Sequence, residues 1–488
     1  MRQNSVTKQL FWFSLTSYIG VAIGIVSVLF IYPENPEFLG IIRTIESYSQ
    51  IVFPIVLIGA SQALVHYYPT LSAENRNRLF LYSLYAVLIN SVVVVAVLAL
   101  MFSFFDFELK HLVWMALPLG ISIAFNEVFK RQSLNLQKIA LPTLFEKIIP
   151  KLALPLIFIL IGSYAITTDQ GIWFFIVAYV LMLLLTGIYT LRKDRTKWVA
   201  DFKNVFKSIS KKEYFRYSLF AFTGSLGSLL AFRIDTIMLG LFGYAMTDIG
   251  IYNIGVLVAS TLIIPATGIF AINSPVISAL VKSNKIEELG QKYTENAKLL
   301  FAIGAVLYGC LFLGVTDLFS LFSTKATLLQ SVPVLLILGF GMVINMGTGF
   351  NSEIITFSKY YRFNVISILL IILLNIGLNL LFVLQFKMAT IGVAYASLIS
   401  ISIFNLAKVY YIKAKFDILP FDKKYVQLVL VVFSVVGIVY LLPNLKFYFW
   451  NLILKAGLCV MLNLLLIYKL KLVYSINNYI NYLKNRFF

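Results

Sequence analysis

Lys147 and Lys151 stand four residues apart in an otherwise apolar stretch, Ala140 to Gly162, among Pro142, Pro150 and Pro155. A spacing of four puts both ammonium groups on one face of a helix. Prolines in such a helix leave freed carbonyls that usually face a cavity or another helix. Paired cations away from bulk water suit the holding of a multiply charged anion, because Coulomb attraction grows as the local dielectric falls. Lys151 lies about 16 Å into its helix at 1.5 Å per residue, too deep for easy snorkelling. The competing reading is a buried ion pair with Glu146, Glu127 or another acid.

Other charges also fall inside apolar runs, where ionisable residues are costly and are functional candidates by default. Arg233 and Asp235 are two apart, so they point in different directions and do not pair with each other. Arg233 is a candidate cavity residue or an arginine reaching the headgroups; Asp235 is a candidate cation ligand. Arg43 and Glu46 are spaced to pair on one helix face, either as part of a site or as a salt bridge at its rim. Glu127, Glu353 and His66 lie toward helix ends where solvation is cheap. Lys455 reads as a snorkelling lysine. Asn375 and Asn379 are placed to hydrogen-bond a neighbouring helix within lipid.

No constellation for catalysis accompanies these charges. There is no phosphate-binding Gly-Lys-Ser/Thr loop, no H-E-x-x-H and no nucleophile elbow, and the chain has only His66 and His111. Cys310 and Cys459 each lie in an apolar run and read as small packing residues rather than a disulfide or metal site. The expectation is a protein that is not an enzyme and needs no cofactor or metal.

The elements that must position the charges are membrane helices. Apolar residues make up 60% of the 488, charged residues 12%, half the charge a soluble globule carries. A helix needs about 20 apolar residues to cross the hydrocarbon. Fourteen runs qualify, at 10–32, 39–67, 79–105, 112–136, 140–162, 171–191, 215–240, 249–280, 297–316, 331–356, 361–385, 390–412, 425–442 and 449–469. The net charge of +19 is no nucleic-acid footprint, because the basic residues recur in short clusters between these runs. Alternating the loops places 31 of the 40 Lys and Arg on one side and 4 on the other. That asymmetry makes the first side, with both termini, cytoplasmic.

Internal similarity organises the helices. Lys8-x-x-Phe11-x-Phe13-Ser14-Leu15 returns as Lys212-x-x-Phe215-x-Tyr217-Ser218-Leu219, Gly20 as Gly224, and Leu39-Gly40-Ile41 with Pro54 as Ile249-Gly250-Ile251 with Pro265. Matching helices have the same orientation, which means parallel repeats. The expected organisation is a first lobe at 1–191, a basic cytoplasmic linker at 192–214, a second lobe at 215–415, and helices 13 and 14 with a tail at 416–488. The fold class is an all-α polytopic membrane protein of two parallel six-helix lobes plus two C-terminal helices.

The chain resembles the bacterial polysaccharide-export flippases, the O-antigen and capsule repeat-unit translocases of the multidrug/oligosaccharidyl-lipid/polysaccharide exporter superfamily. The resemblance is carried by Glu37-Phe38-Leu39-Gly40, Gly59-Ala60 and Tyr67-Tyr68-Pro69, then Asp235 to Gly240 and Ile249-Gly250-Ile251-Tyr252. It continues in Asn375-Ile-Gly-Leu-Asn379 and Ile391-Gly392-Val393-Ala394-Tyr395-Ala396. It implies a transporter in the bacterial cytoplasmic membrane, working by alternating access on an undecaprenyl-pyrophosphate-linked oligosaccharide, with polysaccharide polymerase machinery as a partner. Its substrate would meet a basic cavity, for which Lys151, Lys147, Arg233 and Arg43 are the candidates. The rival readings are an ion-coupled multidrug antiporter using Asp235, Glu46 or Glu127, a lipid II flippase, and a membrane polymerase or ligase.

Overall fold

The computed structural model describes residues 19–105, 107–198, 202 and 205–487. The repeat segment Lys8 to Leu15 and the start of the first expected span lie outside these residues. All regular structure among the described residues is helical. Among the described residues nine helices are long and apolar enough to cross a bilayer, and counting each of two bent pairs as one span brings the number to eleven. The three remaining expected spans are also helices, Ile19–Glu34, Ala140–Gly162 and Lys211–Leu241. Ala140–Gly162 stands apart from the nine because it carries Glu146, Lys147 and Lys151.

The described helices are α1 Ile19–Glu34, α2 Pro36–Leu57, α3 Ala60–Thr70, α4 Ala73–Phe104, α5 Lys110–Asn135, α6 Ala140–Gly162 and α7 Thr168–Asp194. They continue with the short α8 Val205–Ser208, then α9 Lys211–Leu241, α10 Met246–Thr261, α11 Ile264–Lys282, α12 Ile286–Ser320 and α13 Lys325–Gly347. The last are α14 Asn351–Phe357, α15 Arg362–Asn379, α16 Ala389–Phe416, α17 Lys423–Tyr440, α18 Tyr448–Lys469 and α19 Tyr474–Phe487. The chain divides into two compact units, residues 1–250 and 251–488, so α9 belongs with the first.

In the first unit α2 packs on α4, α5 and α9, and α7 packs on α5 and α6. The start of α2 is written locally: Asn35 accepts from the Phe38 N–H at 3.0 Å and Pro36 takes the first helical position, where a missing N–H costs nothing. Its end is equally local. Ile58 and Gly59 both take positive φ, 41° and 72°, and the chain bends by 48° into α3. The sequence drew 39–67 as one span; the break at Gly59 divides it. Gly59 is also a close approach, since a Cβ there would run into the Ser218 carbonyl of α9.

Gly40 and Gly250, matched as repeat positions, meet each other. A Cβ on Gly40 would run into the Met246 carbonyl, and one on Gly250 into the Pro36 carbonyl. The segment expected as a linker is docked rather than free. Val205, Ile209 and Tyr214 are buried in one core with Leu79, Phe80 and Val128, and Phe206 meets the Tyr82 ring edge-on at 5.0 Å.

In the second unit α12 packs on α13, α17 and α18, and α16 on α13 and α15. The span drawn at 331–356 is interrupted between α13 and α14, where Gly349 has φ 66°. Asn375 donates to the Ser397 hydroxyl at 3.0 Å, and Asn379 to Asn375 at 2.7 Å, which joins α15 to α16 as expected. Lys298 is 3% exposed on its side chain and is held by Glu295 and Asp422, each at 2.9 Å. Asp422 also caps α17 through the Tyr425 N–H at 2.7 Å.

Two single-residue readings change, those of Lys408 and Lys455, and one pair is filled in. Cys310 and Cys459, read as packing residues, lie in one apolar cluster between α12 and α18 as free thiols. Lys408, counted with the cytoplasmic charges, is 2% exposed inside α16; its ammonium donates to the Ser352 hydroxyl at 2.8 Å and lies 3.7 Å from the centre of the Phe404 ring. Lys455 does not lie against lipid: it is 5% exposed and donates to Asn444 at 2.5 Å.

Candidate functional site

The candidate site residues all lie in the first unit, Arg43 and Glu46 on α2, Glu127 on α5, Lys147 and Lys151 on α6, and Arg233 and Asp235 on α9. Two prolines shape α6 here. Lacking an N–H, Pro150 leaves the Glu146 carbonyl without its helical donor, and Pro155 does the same for the carbonyl of Lys151. Lys151 is eleven residues from either end of α6, about 16 Å deep. Its side chain reaches α1, where the ammonium donates to the Gly20 carbonyl at 3.1 Å. That bond uses one of three donors. Among the described residues no carboxylate pairs with Lys151.

The acids that could have neutralised it are engaged elsewhere. Lys130 of α5 is bonded to Glu127 at 2.6 Å and to Glu146 at 2.9 Å, and Arg131 holds the other Glu127 oxygen at 2.7 Å. Glu127, a candidate cation ligand from the sequence, is therefore clamped between two cations. Lys130 was the residue sequence reasoning passed over, and its spacing of three from Glu127 was the available signal.

Arg43, seven residues into α2 and so about 10 Å from its start, bonds Glu46 through Nη1 at 2.5 Å. Both residues are 9% exposed. The guanidinium lies 5.9 Å from the centre of the buried Tyr32 ring, and its Nε is buried without a hydrogen-bond partner. Lys151 is within electrostatic reach of Lys147 and Arg43. The Tyr179 hydroxyl on α7 is within reach of Glu46, Arg43, Arg233 and Glu146. Tyr179 was not legible as a site residue, because a tyrosine in an apolar run reads the same whether it faces lipid or a charge cluster.

The seven named residues thus separate. Arg43, Glu46, Lys147 and Lys151 share one neighbourhood on α2 and α6, and Arg233 joins it through Tyr179. Asp235 is partly buried on α9, two residues beyond Arg233. Glu127 belongs to the Lys130 clamp instead. Since Lys130 and Arg131 balance Glu127 and Glu146, the remaining charges are four cations against Glu46 and Asp235. The neighbourhood is net positive. In low dielectric such a set lowers the cost of desolvating an anion, and a guanidinium offers a phosphate two parallel hydrogen bonds.

A scan against protein-family models finds no match, and a search of curated proteins finds none. Solved structures do match. A structure titled as the lipid II flippase MurJ in an inward closed conformation aligns over 94% of this chain and 98% of its own, with TM-score 0.72 and 18% identity. An inward-facing multidrug resistance MATE family transporter of the MOP superfamily aligns over 82% and 94%, with TM-score 0.63 and 16% identity. A MOP superfamily transporter from Pyrococcus furiosus, titled for the reverse polarity of its binding pocket, aligns over 85% and 93% with TM-score 0.51 and 16% identity. The chain has the fold of these transporters.

Proposed function

We propose that this protein is a flippase that carries a lipid-linked oligosaccharide, joined to its polyprenyl carrier through a diphosphate, from the cytoplasmic to the outer leaflet of the bacterial cytoplasmic membrane. The observation that carries the reading is the net-positive neighbourhood of Arg43, Lys147, Lys151 and Arg233, in which Lys151, at mid-depth, has no carboxylate partner among the described residues. A cationic drug would meet net repulsion there; a diphosphate would meet net attraction. In this account the two repeats, 1–191 and 215–415, alternate access to the site, both termini are cytoplasmic, and the prenyl tail stays in lipid.

A lipid II flippase is the second reading, favoured by the coverage and TM-score of the flippase match. Both substrates carry the same diphosphate, so the cationic site serves either. Depletion of the protein in its native cell separates the readings. The expected result is loss of surface polysaccharide with accumulation of its lipid-linked repeat unit, while drug susceptibility is unchanged. Accumulation of lipid II with lysis selects the second reading. Sensitisation to cationic drugs without either accumulation contradicts both.

A further inference from the structure

Among the described residues the Arg43–Glu46 pair differs in one respect from the pairs of Lys130 and Lys298. Lys298–Asp422 joins α12 to the start of α17, and Lys130–Glu146 joins α5 to α6; each holds two helices together. Both lysines also pair within their own helix, with Glu127 and Glu295, whereas Arg43 and Glu46 lie three apart on α2 and among the described residues no carboxylate from a second helix joins them. Burying two charges costs more than such a pair returns unless the geometry satisfies all their hydrogen-bonding atoms. Here it does not. Glu46 engages one terminal nitrogen, and Arg43 Nε, on a residue nine-tenths buried, has no acceptor among the described residues. The guanidinium fork is half used.

We propose that Glu46 is a resident stand-in for the substrate's anionic head: it occupies Arg43 while the site is empty and yields the guanidinium to an arriving diphosphate. The idea rests on the flippase reading above and adds to it the means by which the site is held while vacant. Without Glu46, Arg43 and Lys151 would stand in each other's field with Lys147 one turn from Lys151, and like charges in a buried neighbourhood repel. With Glu46 in place the cluster keeps its shape. A diphosphate outcompetes one carboxylate because it can take the whole fork of Arg43 while also gaining Lys151. Since the pair lies within a single helix, the exchange needs only side-chain rotation and no helix movement. The released carboxylate then stands beside the bound anion and weakens its hold, which favours release on the far side. The charged and titratable groups around this exchange are Tyr32, Lys147, Lys151, Tyr179, Arg233 and Glu146.

Inorganic pyrophosphate binding to the purified full-length protein in nanodiscs tests the proposal, by calorimetry together with melting temperature. Glu46→Gln removes the competitor and keeps the shape. It is expected to bind pyrophosphate about tenfold more tightly than the wild type, the value of one hydrogen bond to a charged group. Pyrophosphate should also raise its melting temperature more than it raises that of the wild type, a response that a merely structural role for Glu46 does not produce. Glu46→Asp retains the charge at shorter reach and is expected to tighten binding a few-fold, which keeps the test open if the glutamine variant does not fold. Unchanged or weaker affinity in these variants, while the wild type binds and Lys151→Ala does not, overturns the stand-in and leaves the site reading standing. Equal pyrophosphate binding by wild type and Lys151→Ala, or no binding by either, overturns both.

Discussion

Replacing Lys151 with alanine is expected to reduce glycan export ten- to a hundredfold while the protein remains inserted and abundant. The magnitude follows from the contact being removed. A charge-assisted hydrogen bond to phosphate in a partly desolvated site contributes about 1.5–3 kcal/mol, and each 1.4 kcal/mol is tenfold in affinity. Folding should tolerate the change. Lys151 gives up one bond to the Gly20 carbonyl and leaves no carboxylate orphaned among the described residues. Lys151→Arg keeps the charge on a bulkier planar head, so part of the activity should survive. Lys446→Ala, in an exposed loop, serves as the control. Lys455 is unsuited to that purpose, because its removal breaks a buried bond to Asn444. Export assays in cells expressing each variant at matched levels check the expectation, and a fully active Lys151→Ala protein contradicts it.

The second large effect concerns stability. Asp422→Ala removes two interactions at once, the cap on α17 and a partner of Lys298. Loss of a cap costs about 1 kcal/mol. Removing a partner from a buried cation costs more, but the 41% exposure of the Asp422 side chain and the second partner Glu295 reduce that loss to about 1–2 kcal/mol. Thermal unfolding of the solubilised protein should therefore move down by about 2–3 °C. An unchanged transition contradicts the role given to this brace. The effect should be confined to stability, since Asp422 and Lys298 lie in the second unit and the candidate site in the first.

How much of this was readable from the sequence depends on the kind of interaction. Helix α6 runs over the residues its apolar run marked, Ala140 to Gly162, because lipid requires backbone hydrogen bonds to be satisfied within the segment. The Arg43–Glu46 pair was readable for the same reason: a spacing of three on one helix fixes the contact. Breaks inside long apolar runs were not readable. Hydropathy has no term for the φ of 72° at Gly59, so α2 and α3 merged into one span. Charges near helix ends were misjudged when burial depended on a distant partner, as with Lys408 and Ser352, 56 residues apart. Cys310 and Cys459 meet across two helices for which no short-range pattern exists. The net sign of the site was open until Lys130 was placed on Glu127 and Glu146, because the sequence offered both acids to Lys151.

The claim at the centre is that the positive neighbourhood on α2, α6 and α9 carries a diphosphate-linked lipid across the bilayer, and transbilayer movement by the purified protein tests it most directly. Liposomes containing the full chain and a fluorescent prenyl-diphosphate oligosaccharide in both leaflets are treated with a membrane-impermeant quencher. The account predicts quenching of nearly all the label with wild-type protein, and of about half, the outer-leaflet share, in protein-free vesicles. Lys151→Ala vesicles should stay near the protein-free level, and a prenyl monophosphate lacking the second phosphate should move more slowly. Equal quenching with wild-type protein and without it, or full activity of the Lys151→Ala protein on the same substrate, contradicts the account.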